Sequence, residues 1–547
     1  MVISMEPSDE RPREPIDGYD EVPYTSYPYP RAHPDHLHVI ASLFGMQPAP
    51  VTRCRVLEIG CGSGGHLLPI AELLPGSELL GLDRSRRQID RGLELARRAG
   101  LRNVQLRHAD LMDVDESWGS FDFIVCHGVY SWVPPAAQRR ILEIMRDHLR
   151  PQGVGYLSYN VYPGWHLREM VRHMMRYHVQ QLPEPVARIG QARALLDFLG
   201  RHATDAQGAY GAALRKELAL LRALPDDYLY HEHLEEENHP LYFHQLAEQL
   251  RAHGLQYLGE ADPQMMLAHG LDPEARETLE RIAPDLLTRE QYLDFVRNRQ
   301  FRATLCCHEG VELVREIQAR LAWPLAFEFS GPLGPEPVDL APSQVHRFVG
   351  LGGVEMKTSA PLTKAALVLL RRAWPRAVPL PELWPRVSAL LREAAVPGEA
   401  DQDSLATDLL QCFLSGGIEA RSFVPPVATR VTDRPRVSRV ARCQAAQGGF
   451  AASLHHRLVE LDRAQRQLVT RLDGEHDRAQ LLAELTELVL SDELQLTLDG
   501  RPLRERAEIQ APLEHVVQRA LQGMVDRAML LDDDAGPSAQ PGRPSVT

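Results

Sequence analysis

Three glycines spaced two apart, Gly60, Gly62 and Gly64, follow the apolar run Val56 to Ile59 and precede an apolar helical pattern that starts near Leu67. Val56, Leu57 and Ile59 suit a strand buried in a parallel sheet, and the glycines let the backbone turn sharply and approach a ligand with no Cβ in the way. The ligand then sits against a helix N-terminus. Gly60, Gly62 and Gly65 also satisfy GxGxxG, which leaves a dinucleotide site open, whereas the missing Lys-Ser/Thr pair excludes a phosphate P-loop. About twenty residues on, the apolar run Glu78 to Asp83 ends in an acid placed to hold a ribose diol. The competing role for Asp83 is to cap the following helix, but Ser85 and Gln88 already have the spacing of a capping box there.

The elements that must position these residues are legible as alternating patterns. A third strand runs through NVQLRHADLMD to Asp110 and a fourth begins at Phe121. With helical patterns between them, they predict a doubly wound, Rossmann-like α/β sheet. The fifth strand is Val154 to Asn160, after which Trp165 to about Leu224 carries apolar residues at helical spacing. A helix and strand then return in FHQLAEQLRAHG and LQYLGEAD, and FRATLCCHEG, Phe301 to Gly310, closes the sheet. Cys306 and Cys307 should point to opposite faces of that strand. The expected organisation is an arm and first helix (1–50), the first part of the core (51–164), a helical insertion (165–227), the end of the core (228–310), a mainly helical C-terminal region (311–535) and a disordered tail (536–547). Two stretches of that region each read as a helix, a short turn with Pro or Gly, and a second helix, in the manner of winged helices. Neither is enriched in lysine, so docking or homodimerisation is preferred to DNA binding.

Composition bounds the function. A formal net charge of −14 argues against a nucleic-acid binder and favours a basic protein or an amine as partner. Seven cysteines without framework spacing predict free thiols in a reducing cytoplasm. No apolar signal region opens the chain, and no apolar run reaches the roughly eighteen residues that span a bilayer, so no membrane insertion is expected.

Several histidines could do acid–base chemistry or serve as hydrogen-bonded structural groups, His127 and His166 first among them. The cluster His231, His233, His239 and His244 matches neither HExxH nor a cysteine-histidine zinc spacing. A polar helix-turn face is the preferred reading, and no metal is expected.

Taken together, Glu58-x-Gly60-x-Gly62-x-Gly64, Asp83, Ala109-Asp110-Leu111, Phe121-Asp122 and Leu149-Arg150-Pro151-Gln152-Gly153 resemble, in this order, the motifs of class I S-adenosylmethionine-dependent methyltransferases. Tyr19 to Met46, Cys126 to Pro134, Ser158 to His166 and Tyr228 to Ala261 narrow the resemblance to bacterial methyltransferases with a methyltransferase regulatory domain. That family includes protein lysine methyltransferases acting on outer-membrane proteins. The resemblance implies S-adenosylmethionine as cofactor, with Glu58, Gly60, Cys61, Gly62 and Gly64 at its methionine end. Asp83 would hold the ribose and Asp110 with Leu111 the adenine, with Arg84 and His127 also in the cofactor set.

Direct displacement at a sulfonium methyl asks for alignment, desolvation and a deprotonated nucleophile. Burial among aromatic rings lowers a lysine pKa, and ring faces tolerate cationic sulfonium or methylammonium. Candidate walls are Tyr24, Tyr27 and Tyr29 in the N-terminal arm, Tyr130 and Trp132 after the fourth strand, and Tyr159, Tyr162 and Trp165 after the fifth. Tyr130, Tyr159 and His127 are the expected catalytic groups; Tyr24, Tyr27, Tyr130, Trp132, Tyr162 and Trp165 are expected to touch substrate. The arm Tyr19 to His33, stiffened by prolines at 23, 28 and 30, is expected to close over the site. The favoured activity is methylation of protein lysines. The alternatives are a small-molecule N- or O-methyltransferase and a cofactor-binding scaffold without turnover.

Overall fold

A computed structural model describes residues 24–203, 208–268, 270–334, 337–396, 401–498 and 501–532; the first part of the expected arm and the expected tail lie outside them. Its centre is one seven-stranded sheet made of β1 (Arg55–Ile59), β2 (Glu78–Asp83), β3 (Val104–His108), β4 (Phe121–Cys126), β5 (Leu149–Asn160), β6 (Leu255–Glu260) and β7 (Phe301–His308). The order across the sheet is β3-β2-β1-β4-β5-β7-β6. The first five strands are parallel, and β7 runs antiparallel between β5 and β6. Every residue of β4 is buried, as a central strand with both faces covered requires. The order reverses between β1 and β4, and this switch point opens a crevice at the carboxyl ends of both strands.

β5 begins at Leu149, five residues earlier than the sequence suggested. Gln152-Gly153 reads as a turn, but Leu149 pairs with Phe121 and an irregularity in register absorbs the intervening residues. Cys306 and Cys307 do face opposite sides of β7. Cys306 packs with Ile124 and Leu157, Cys307 with Phe123 and Tyr156.

Between β5 and β6 the chain leaves the sheet for helices Trp165–Val179, Pro185–His202 and Ala209–Ala223, which share their own core around Met175, Leu196 and Leu218. The return passes through a wide π-type turn, Tyr230–Leu234. That turn corrects the expected polar face, because His231 and His233 are 4% and 1% exposed. Against the far edge of the sheet, Arg302 is fully buried and held by Glu260, Glu290 and Asp294. Removing any one partner there would strand a buried charge.

The C-terminal region is less purely helical than its sequence suggests. Strands Ala326–Glu328, Val378–Pro379 and Glu419–Arg421 form a small antiparallel sheet beside helices Pro361–Ala373, Leu380–Glu393 and Gln402–Leu414. A second unit carries helices Arg439–Gln447, Arg463–Val469, Arg478–Leu490 and Arg506–Asp526 with the hairpin Phe450–Ala452/Leu458–Glu460. Leu37, Phe327 and Phe413 belong to one continuous apolar cluster that crosses from the first helix into this region. Asp35 accepts from both the backbone N–H and the hydroxyl of Ser422. Among the described residues, no helix is long and apolar enough to cross a membrane.

Candidate active site

The turn after β1 is built as its glycines require. Gly60, Gly62 and Gly64 have φ of +75°, +54° and +76°, in the left-handed region that L side chains rarely adopt. Gly65 is needed for a different reason: a Cβ there would lie 2.1 Å from the carbonyl oxygen of Ser26. The amides of Gly60 and Cys61 both donate to Leu82 O, tying the loop to the end of β2. Asp83 closes that strand, and its carboxylate accepts from Gly62 N and Ser85 N, each at 2.8 Å. The Ser85 hydroxyl caps the next helix by accepting from Gln88 N. The Gln88 side-chain amide donates to Tyr24 O at 2.6 Å, so it holds the arm.

Asp110 accepts from Met112 N and lies 3.6 Å from the Arg84 guanidinium, with Ala109 N donating to Asp83 O. Leu111 is buried beside Ile59 and Leu82. Glu58, Gly60, Cys61, Gly62, Gly64, Asp83, Arg84, Asp110 and Leu111 therefore line the carboxyl ends of β1 to β3. Burial raises the Glu58 carboxyl well above its ordinary pKa, and the charge of Asp83 adds to the shift. Glu58 Oε2 is buried without a hydrogen-bond partner among the described residues. An unpaired buried carboxyl oxygen between this loop and a second acid suits a cationic ligand group, as the ammonium of a bound methionine moiety would be. Cys61 is buried with a raised pKa, again from burial first, and stays a thiol.

At the end of β4, the His127 ring stacks on Tyr29 with centroids 3.8 Å apart. Its Nδ1 lies 2.9 Å from the Tyr156 hydroxyl, and Phe301, 48% exposed, has its ring 6.3 Å away. Burial lowers the His127 pKa to about 4, so its imidazole is neutral at physiological pH. Tyr156 and Phe301 are not among the site residues expected from the sequence. Alternation from Asn160 and the closing strand would have placed both on the His127 face.

Other expected residues go elsewhere. Tyr130 and Tyr159 are 0% and 1% exposed and lie in the apolar cluster on the sheet face opposite Tyr156. Their hydroxyls bond to Gln249 and Thr304, which removes them from the crevice. Trp165 is fully buried and meets Trp132 edge-on at 6.0 Å, a packing pair between the helical insertion and the turn after β4. Tyr162 bonds to Glu169 and stacks on the exposed His166 at 4.0 Å. Tyr24 packs against Tyr228 and His231, and Tyr27 against Phe450. The arm crosses the glycine loop, but it is Tyr29 that reaches His127. A cavity of about 990 Å³ lies behind the loop, between the helix that begins at Arg86 and Gln444, Gln447 and Phe450 of the C-terminal region.

Comparison with known proteins agrees with this geometry. Residues 56–153 match the model of a methyltransferase domain, 225–308 that of a predicted methyltransferase regulatory domain, and 433–529 that of a PKMT C-terminal winged helix domain. The uncharacterized protein RP789 of Rickettsia prowazekii is 30% identical over 520 residues, covering 94% of this chain and 93% of its own. The uncharacterized protein RP028 of the same organism is 40% identical over 231 residues, 42% of this chain and 92% of its own. In structure the chain resembles PKMT2 from Rickettsia typhi in complex with AdoHcy, with a TM-score of 0.82, 29% identity, and coverage of 93% of this chain and 100% of that one. The glycine turn, the acids at the ends of β2 and β3, and these full-length likenesses place the chain among the class I S-adenosylmethionine-dependent methyltransferases that carry a regulatory domain and a winged helix of the PKMT type.

Proposed function

We propose that this methyltransferase modifies lysine side chains of a polypeptide, and that the aromatic group around His127 forms the acceptor end of its site. The observation that carries this reading is the convergence of Tyr29, Tyr156 and Phe301 on His127, at ring separations of 3.8, 5.8 and 6.3 Å. The full-length likeness to a Rickettsia PKMT supports it.

When bound, S-adenosylmethionine supplies an electrophilic methyl group on a sulfonium. The residues we assign to holding it are Glu58, Gly60, Cys61, Gly62 and Gly64 at the methionine end, Asp83 at the ribose, and Asp110 and Leu111 at the adenine, with Arg84 flanking. The task left to the chain is to deliver an uncharged amine in line. Tyr29, Tyr156 and Phe301 exclude water from the acceptor, which lowers the pKa of an entering ammonium. A neutral His127, fixed through Nδ1 by Tyr156, adds no positive charge to oppose the cationic product. The ring faces suit the methylammonium that forms.

Transfer of labelled methyl from S-adenosylmethionine into polypeptides, followed by hydrolysis and amino-acid analysis, tests the reading. Methyllysine in the polypeptide fraction is expected. Label confined to free amines or hydroxyl metabolites would replace it with the small-molecule alternative.

A further inference from the structure

His66, the residue directly after Gly65, is 1% exposed at the start of helix Leu67–Leu73. Two groups from distant parts of the chain converge on its Nδ1. The backbone N–H of Tyr29 lies at 3.3 Å and the Nε2 of His456 at 2.7 Å. His456 belongs to the winged-helix region, is 4% exposed, and sits in the turn of the hairpin that begins at Phe450. Its φ of +58° is a strained conformation for a residue with a Cβ, held by His456 N donating to Ser453 O at 2.9 Å.

The protons in this junction follow from donor chemistry. A backbone N–H can only donate, so His66 Nδ1 must be an unprotonated acceptor, and the His456 nitrogen facing it must carry the hydrogen. His66 is therefore neutral with its hydrogen on Nε2, and burial leaves His456 neutral as well, with its hydrogen on the nitrogen that faces His66. Burial is the first cause keeping them so, lowering His66 to about 3 and His456 well below its usual range, with His33, Arg421 and His127 as the facing cationic or titratable groups.

We infer that His456 is a positioning residue for methyl transfer: through His66 it fixes the backbone of Tyr29, and with it the ring that covers His127. The winged-helix region thus reaches the acceptor side of the site by a two-imidazole relay. The inference rests on the proposed acceptor role of Tyr29 for its meaning, but its mechanical part stands without it.

Hydrogen exchange of the full-length protein tests that part directly. In His456→Ala, amides of the 24–33 segment should exchange roughly tenfold faster, because Tyr29 loses its ordered acceptor. His456→Gln keeps a donor at the same reach and should restore protection, as should His66→Asn, whose Oδ1 replaces Nδ1. Methyl transfer to poly-lysine supplies the second readout. His456→Ala should lower kcat with little change in S-adenosylmethionine affinity, and should add little in a Tyr29→Ala background. Wild-type protection of 24–33 in His456→Ala, or protection no better in His456→Gln than in His456→Ala, would overturn the relay. If wild-type enzyme fails to methylate poly-lysine while exchange behaves as expected, the relay survives and the lysine reading loses support.

Discussion

The hydroxyl of Ser26 lies 2.9 Å from the amide nitrogen of Gly65, so the N-terminal arm is hydrogen-bonded to the glycine loop itself. The sequence predicts an arm that closes over the site, with a far larger effect on methyl transfer than on cofactor affinity. With Gln88 also holding Tyr24 O, its loss should reach the cofactor as well.

Removing residues 1–33 is therefore expected to depress both methyl-transfer rate and S-adenosylmethionine affinity. Ser26→Ala isolates the loop contribution and should cost about 0.5–1.5 kcal/mol of cofactor affinity by calorimetry. Unchanged affinity in both variants would mean that the arm only lies across the loop.

Asp83→Ala should weaken S-adenosylmethionine binding by about 1–3 kcal/mol, since the ribose hydroxyls lose a charged acceptor. Part of this loss is indirect, because Asp83 also anchors Gly62 and Ser85. Asp83→Asn retains one acceptor oxygen for the backbone and should fall between the two. Calorimetry that found NAD bound and S-adenosylmethionine ignored by the wild-type protein would reverse the assignment.

Phe301→Ala and Tyr156→Phe probe the acceptor wall from different sides. The first should raise the acceptor KM, by opening one face of the site. The second removes the hydroxyl that fixes His127 and should lower kcat about tenfold, because the imidazole and the Tyr29 ring against it lose their fixed place. Steady-state kinetics on a lysine acceptor reads both, and equal wild-type parameters would move the acceptor site elsewhere.

Stability should fall on mild acidification. His36 and His127 are lowered to about 4, His66 and His455 to about 3, each chiefly by burial. Their folded pKa values lie below the unfolded value near 6.5, so the unfolded chain binds the extra protons. Above about pH 6.5 their contribution is complete; it drains away as pH falls towards 4, by roughly 1.4 kcal/mol per pH unit for each group. Melting temperatures measured from pH 8 to 4 should drop steeply below 6.5, and a flat profile would show the cluster already protonated when folded.

The organisation read from the sequence ends the core at residue 310, which implies that a chain cut after Gly310 keeps a cofactor-binding core. The shared cluster of Leu37, Phe327 and Phe413, and the Asp35–Ser422 bonds, instead make the C-terminal region part of the core's own interior. The truncated protein should aggregate or melt far below full length by circular dichroism. A soluble fragment with the wild-type melting temperature would show that the two parts fold independently.

What was legible in the sequence was local. The glycine turn, Asp83 and Asp110 follow strands directly, and each motif lies within a few residues of the element that positions it. What was hidden depends on partners distant in the chain. Nothing near Tyr29 distinguishes it from Tyr24 or Tyr27; its position is decided by His66 and, through it, by a residue more than four hundred positions away. Tyr130 and Tyr159 misled because an aromatic at a strand end reads the same whether it faces the crevice or the opposite core. His231 and His233 misled because a widened turn changes which side chains face inward.

The order β5-β7-β6 has a consequence for how the chain is made. When β5 leaves the ribosome its outer edge is bare, and its eventual neighbour β7 is the last strand of the sheet to be synthesised. The helices between Trp165 and Ala223 must emerge before that edge can be covered. An unpaired strand edge that is apolar over much of its length invites pairing with other nascent chains during synthesis, and the self-contained core of those helices keeps the intervening segment compact until β7 slides in beside β5.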